Sequence, residues 1–192
     1  YKPADDITTY ELLEEIFDTL DYSSPIVAKN QGEYVYLKDT ARAISELKTA
    51  GLTSDELLKV LDANDAVYDA VERELGTIFE GRVSTTMLPQ LVPIAERVAA
   101  LQQPQLPLGV TPMANVLALS MAHAFDQAVQ SNKTTPITAW RNEWLEKDVN
   151  GRFVFKDRKR SAKLRAVAYV YFAYLRHMDE EGLFDYDDMV LD

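Results

Sequence analysis

The chain has 192 residues, of which 47% are hydrophobic and 27% charged, with 7 Gly, 8 Pro and no Cys. That composition excludes a disordered, collagenous or disulfide-stapled chain, and the length allows one sizeable core or two small ones. Twenty Lys and Arg against 31 Asp and Glu leave a net charge of −11, a poor start for a protein that grips nucleic acid or an anionic membrane. Zero Cys removes disulfides, thiol catalysis and thiolate metal sites together, as expected of a cytoplasmic protein. No apolar run approaches the ~18 residues of a membrane-spanning helix. The first residues, Tyr1-Lys2-Pro3, carry neither an initiator Met nor a signal-peptide pattern, which is expected of a piece of a longer protein.

Helix signals dominate the chain. Thr8-Thr9-Tyr10-Glu11 predicts a capping box, behind which Leu13, Ile16, Phe17 and Leu20 recur at helical spacing until Ser23-Ser24-Pro25 breaks the pattern. The stretch 26–36, around Asn30-Gln31-Gly32, reads as a short hairpin or an irregular loop. Ala43, Ile44 and Leu47 predict a helix over 39–50, closed by Gly51 as a left-handed cap. Thr53-Ser54-Asp55-Glu56 is a second capping box, expected to start a short helix through Leu57, Leu58 and Leu61. Asn64 is then expected to cap a separate helix carrying Val67, Ala70, Val71 and Leu75, which ends near Gly76.

Leu91, Ile94, Val98 and Leu101 predict a helix over 88–101 with a proline in its first turn. Residues 102–110 follow, where two prolines and a glycine deny helix continuation, so the best internal boundary lies near 102–111. Thr111-Pro112 and Thr135-Pro136 each start a further helix, the first with a stripe through Leu117, Met121 and Phe125, the second with Ile137, Trp140 and Trp144 on one face. Asn150-Gly151 signals a two-residue hairpin turn before Phe153. The last helix, 158–181, has Val167, Val170, Tyr171, Tyr174 and Met178 on one stripe and Tyr169 and Phe172 over much of the rest, which predicts a central buried helix. The fold class that follows is all-α, an irregular multi-helix bundle with at most one small β-hairpin, forming a single helical subdomain over 1–192.

Charge is segregated along this chain. Arg152, Lys156, Arg158, Lys159, Arg160, Lys163 and Arg165 fall within 152–165 against one acid, Asp157, while both ends of the chain are acidic. Cations at a helix start oppose the macrodipole, so something must compensate them, with phosphates and the acidic chain ends as the two candidates. His123 and His177 each stand alone on a helix with no second ligand one turn away, and none of the glycines is followed by Lys, so neither a His metal site nor a GxxxxGK phosphate loop is present. Trp140 and Trp144 read as core packing rather than base stacking. Asp185, Asp187 and Asp188 place three carboxylates in four residues, which is an acidic chain end or, on an enzymatic reading, a divalent-cation site.

The segment 174–191, Tyr174-Leu175-Arg176-His177-Met178-Asp179-Glu180-Glu181-Gly182-Leu183-Phe184-Asp185-Tyr186-Asp187-Asp188-Met189-Val190-Leu191, resembles the "Y…L…..lDFDDLl" stretch of UvrD/Rep/PcrA-type superfamily 1 DNA helicases. The segment 43–56, Ala43-Ile44-Ser45-Glu46-Leu47-Lys48-Thr49-Ala50-Gly51-Leu52-Thr53-Ser54-Asp55-Glu56, is similar to that family's "I..lK..gls..e" segment. The resemblance implies subdomain 1B, a helical insertion in the first motor domain, with Phe184, Asp185, Tyr186, Asp187, Asp188 and Met189 as the family motif. It further implies ATP and Mg²⁺ as cofactors of the parent protein and none in this segment. The partners implied are single-stranded and duplex DNA and the remaining motor domains, with no membrane. The family's DNA-facing role is assigned on charge to Lys156, Arg158, Lys159, Arg160, Lys163 and Arg165, where six phosphate contacts would give a log–log salt slope of about −5. The rival expectation is a helical protein-interaction module without DNA binding.

Overall fold

The computed structural model describes residues 1–102, 105–107, 109–185 and 187. In chain order the elements are β1 (Lys2–Pro3), α1 (Asp6–Asp18), β2 (Lys29–Asn30), β3 (Glu33–Tyr34), α2 (Leu37–Thr49), α3 (Ser54–Phe79), a 3-10 turn (Thr85–Met87), α4 (Leu88–Ala99), α5 (Met113–Ser131), α6 (Thr135–Trp144), β4 (Leu145–Lys147), β5 (Phe153–Phe155), α7 (Arg158–Glu180) and β6 (Leu183–Phe184). Two compact units result. The first joins Tyr1–Leu58 to Arg160–Asp192, and the second is Lys59–Lys159.

The first unit is built on α1, α2 and α7. Leu13, Ile16 and Phe17 of α1, Ile44 of α2, and Val170, Tyr171, Tyr174 and Met178 of α7 form its core. α1 starts earlier than its apparent capping box. Asp5, not Thr8, is the cap, because its carboxylate accepts the Thr8 amide and the Thr8 hydroxyl, each at 2.8 Å, and an anion suits the positive end of a helix. α2 ends as its sequence predicts. Gly51 takes φ +66, so the Leu52 amide reaches back to the Leu47 carbonyl and the Gly51 amide to that of Lys48, both at 2.9 Å. The second capping box also forms: the Glu56 amide donates to Thr53 Oγ1 at 3.2 Å and the Thr53 amide to Glu56 Oε2 at 2.9 Å.

β1 and β6 pair in parallel, Lys2 opposite Leu183 and Pro3 opposite Phe184, which brings the two ends of the described chain together. β2 and β3 form a hairpin whose turn residues, Gln31 and Gly32, both have positive φ, the conformation of a type I′ turn. With the β4–β5 hairpin of the second unit, the described residues hold two hairpins and one parallel pair. The all-α class stands. The hairpin expected from Asn150-Gly151 forms, and so does the one that 26–36 left open, so there are two hairpins where at most one was expected; the third pair, β1 with β6, joins strands far apart along the chain, beyond the reach of local turn signals.

The second unit contains most of α3 together with α4, α5, α6, β4 and β5. Its core runs from Tyr68, Val71, Leu75 and Phe79 through Leu91, Ile94 and Val98 to Leu117, Met121, Phe125 and Trp140. α3 passes unbroken through Asn64 and Gly76, where two helices were expected, since Leu61, Tyr68, Val71, Leu75 and Phe79 continue one buried stripe at steps of three, four and seven. Burying that stripe outweighs the cost of about 1 kcal/mol for an interior glycine. Helices α4 and α5, which flank residues 102–111, pack into one core, so the chain is not divided between them. The division falls instead within α3 and α7. α7 also departs from expectation: Tyr169 and Phe172 are exposed, so it is an amphipathic helix with one buried stripe.

Candidate functional site

The family-like segments meet in the first unit. Lys48, on α2, is buried, and its ammonium lies 2.6 Å from Asp185 Oδ1, just after β6. Tyr174, fully buried on α7, donates its hydroxyl to the other oxygen, Asp185 Oδ2, at 2.8 Å. α2 presents Lys48 inward because it follows Ile44 by one turn on the buried face, where a four-carbon stem packs as an apolar side chain. A carboxylate and an ammonium with side chains only 13% and 4% exposed satisfy each other's charge, and the tyrosine hydroxyl takes a further lone pair. Asp185 is thus the polar centre of the segment that resembles the helicase stretch. Phe184 sits half-buried in β6 and Asp187 is half-buried, while Tyr186, Asp188 and Met189 lie outside the described residues.

The enzymatic reading of the acidic cluster meets an obstacle at the same place, since an ammonium already balances Asp185. Among the described residues no group of three His, Cys, Asp or Glu is arranged to hold a metal ion. His123 is exposed and shares a hydrogen bond with Gln127 at 2.9 Å. Trp140 is core, as expected, with its indole N–H on Ser120 Oγ at 3.0 Å.

The basic segment is less open than its sequence implies. In the second unit the Arg158 guanidinium donates Nε to Glu72 Oε1 at 2.9 Å and Nη2 to Glu72 Oε2 at 2.8 Å, and it also pairs with Asp69 and lies 3.8 Å from Asp65. It lies over the Tyr68 ring, 5.7 Å from the centroid. Glu72 further accepts the Phe155 amide at 2.8 Å, fixing β5 against α3. The acids beside Arg158, Glu72 first, hold its proton even more firmly than usual. Tyr68 is fully buried with its hydroxyl on Asp157 at 2.9 Å, and burial, seconded by that carboxylate, pushes its pKa up.

At the helix start of α7, Arg158 is therefore compensated by carboxylates of α3. Lys156 donates to the Asn142 carbonyl. Lys159 reaches Glu146 at 2.8 Å but stays 78% exposed. In the first unit Arg160 is exposed with no ion pair among the described residues. Lys163 donates to the Tyr36 hydroxyl at 2.8 Å and sits 4.2 Å over its ring, and Arg165 is half-buried.

Sequence reasoning missed Lys48, Tyr174, Asp65, Asp69 and Glu72 as site residues. The last three had a signal, spacing of four and three along one helix face, which marks an acidic stripe able to take a single Arg.

Comparison with known proteins finds no matching family model, no matching curated protein and no matching solved structure. Among the described residues no helix is long and apolar enough to cross a membrane.

Proposed function

We propose that the chain is the helical 1B-type subdomain of a UvrD/Rep/PcrA-type superfamily 1 DNA helicase, facing DNA within a cytoplasmic, ATP-dependent motor. The observation that carries this reading is the buried Lys48–Asp185 pair, because its two residues come from the two separate segments that resemble the family. ATP and Mg²⁺ belong to the rest of the motor: with no glycine followed by Lys, the residues here offer no Walker-type phosphate cradle, and the segment by itself hydrolyses nothing.

DNA contact would fall on Lys156, Lys159, Arg160 and Lys163, with half-buried Arg165 less available; Arg158 is committed to three carboxylates. That commitment favours a second reading, a helical protein-interaction module that leaves DNA alone. Fluorescence anisotropy with a labelled single-stranded oligonucleotide separates the two. Weak binding is expected, reduced about tenfold at low salt by the combined Lys159→Ala, Arg160→Ala and Lys163→Ala changes. Affinity untouched by those changes would remove the DNA assignment.

A further inference from the structure

The second unit carries an apolar groove that its polar chemistry leaves unexplained. A cavity of about 450 Å³ opens along α4 and α5, floored by Ala95 and Ala99 of α4 and Ala118 and Ala122 of α5 and walled by Val92 and Leu119. Each alanine pair is four residues apart, so each helix offers a smooth strip where a third helix can approach closely. Leu119 is 74% exposed, a large apolar side chain standing at the edge of an apolar floor.

Two carboxylates, Glu96 and Asp126, also line the groove, one on each helix, and both are exposed without an ion pair among the described residues. Arg97, the cation next to Glu96, is held first by Glu74, its Nε donating to Glu74 Oε2 at 2.9 Å, and feels Glu96 only as a lesser charge. Apolar floor and unpaired acids together specify one kind of occupant.

We propose that this groove docks an amphipathic helix of a partner protein, with Leu or Phe anchors set against the alanine floor and Lys or Arg beside Glu96 and Asp126. Alternating anchors at three and four residues would fill the strip while flanking cations meet a carboxylate on each helix. Chain-wide charge of −11 adds attraction for such a segment at long range. The inference stands apart from the DNA reading, since it uses neither α7 nor the family-like segments.

The test uses the chain as it is and a synthetic peptide of about 20 residues with Leu at helical a and d positions and Lys at the flanks, titrated by fluorescence anisotropy. Leu119→Ser and the pair Glu96→Lys with Asp126→Lys are each expected to weaken binding about tenfold. A control pair, Glu14→Lys with Glu15→Lys on α1, changes net charge by the same amount and is expected to leave affinity unchanged. Circular dichroism of each variant checks that the fold is retained, as expected of exposed positions. Absence of binding, equal losses in the control, or equal affinity for the same peptide with Glu in place of Lys would overturn the proposal. So would a concentration-dependent dimer abolished by Leu119→Ser, which would make a second copy of the chain the occupant.

Discussion

The first unit is stitched from the two ends of the chain and holds a buried ion pair beside its apolar core, whereas the second is one continuous stretch whose charges lie at the rim of an apolar and aromatic core. The difference follows from connectivity. Bringing together segments separated by more than a hundred residues costs loop-closure entropy before any contact rewards it, and apolar surfaces alone tolerate slips of register. A buried Lys48–Asp185 pair accepts only one alignment of α2 with the segment after β6, so its contribution is specificity as much as stability. Arg158 in the second unit works differently. Its partners also come from a distant stretch of chain but share one face of α3, its side chain is 30% exposed, and solvent screens the pairs it makes.

Breaking the buried pair is expected to have the largest effect. Lys48→Met removes the ammonium from the mostly buried Asp185 carboxylate, leaving the Tyr174 hydroxyl on it, and should cost about 3–5 kcal/mol, roughly 10 °C in melting temperature for a chain of this size. Adding Asp185→Leu should recover most of that loss, because the stranded charge is gone. Hydrogen exchange should show the single variant deprotecting β1 and α2 first. A double variant no better than the single one would mean that the pair sets no register and that the contrast between the units is false.

Arg158→Ala is expected to cost less, about 1–2 kcal/mol, since its network is multidentate but partly solvated. Exchange should quicken at the Phe155 amide, which shares Glu72 with Arg158. A loss as large as that of Lys48→Met would show that both units depend equally on charge.

The smallest effect is a pH dependence at the tip of the β4–β5 hairpin. Backbone amides, that of Arg152 first and then Asn150, hold the Asp148 carboxyl below the ordinary carboxylate value. A lowered folded-state pKa contributes stability that is present above the unfolded value and fades as pH falls through the folded one. Carbon-13 NMR of the Asp148 carboxyl should titrate below the usual Asp range, with Asn150 and Arg152 amide shifts following it. A midpoint at the ordinary value would remove the carboxylate from the turn.

Much of this architecture was legible in local chemistry. Reciprocal bonds between Thr53 and Glu56, the left-handed Gly51, and the apolar stripe of Val170, Tyr174 and Met178 were readable because each is decided within a turn or two of helix. Local signals misled where two were in competition. Asp5 and Thr8 both suit a helix start, and the carboxylate took the cap by accepting two donors. Asn150-Gly151 marks a turn, but Asp148 bonded to both Asn150 and Arg152 gives a three-residue loop with Gly151 left-handed in place of a two-residue one. Long-range partners were beyond reach altogether. Nothing local to Lys48 or Asp185 names the other, 137 positions away, and the acids that neutralise Arg158 lie on a different helix.

Charge reading was sharpened by the same facts. A count of six cations treated Arg158 as available, whereas three carboxylates hold it. The most direct test of the account is the salt dependence of single-stranded DNA binding by this chain, read as the slope of log affinity against log salt. Four contacts, from Lys156, Lys159, Arg160 and Lys163, predict a slope of about −3, shallower than the value for six. A flat slope, or no binding at low salt, would contradict the helicase-subdomain reading and leave the interaction module in its place.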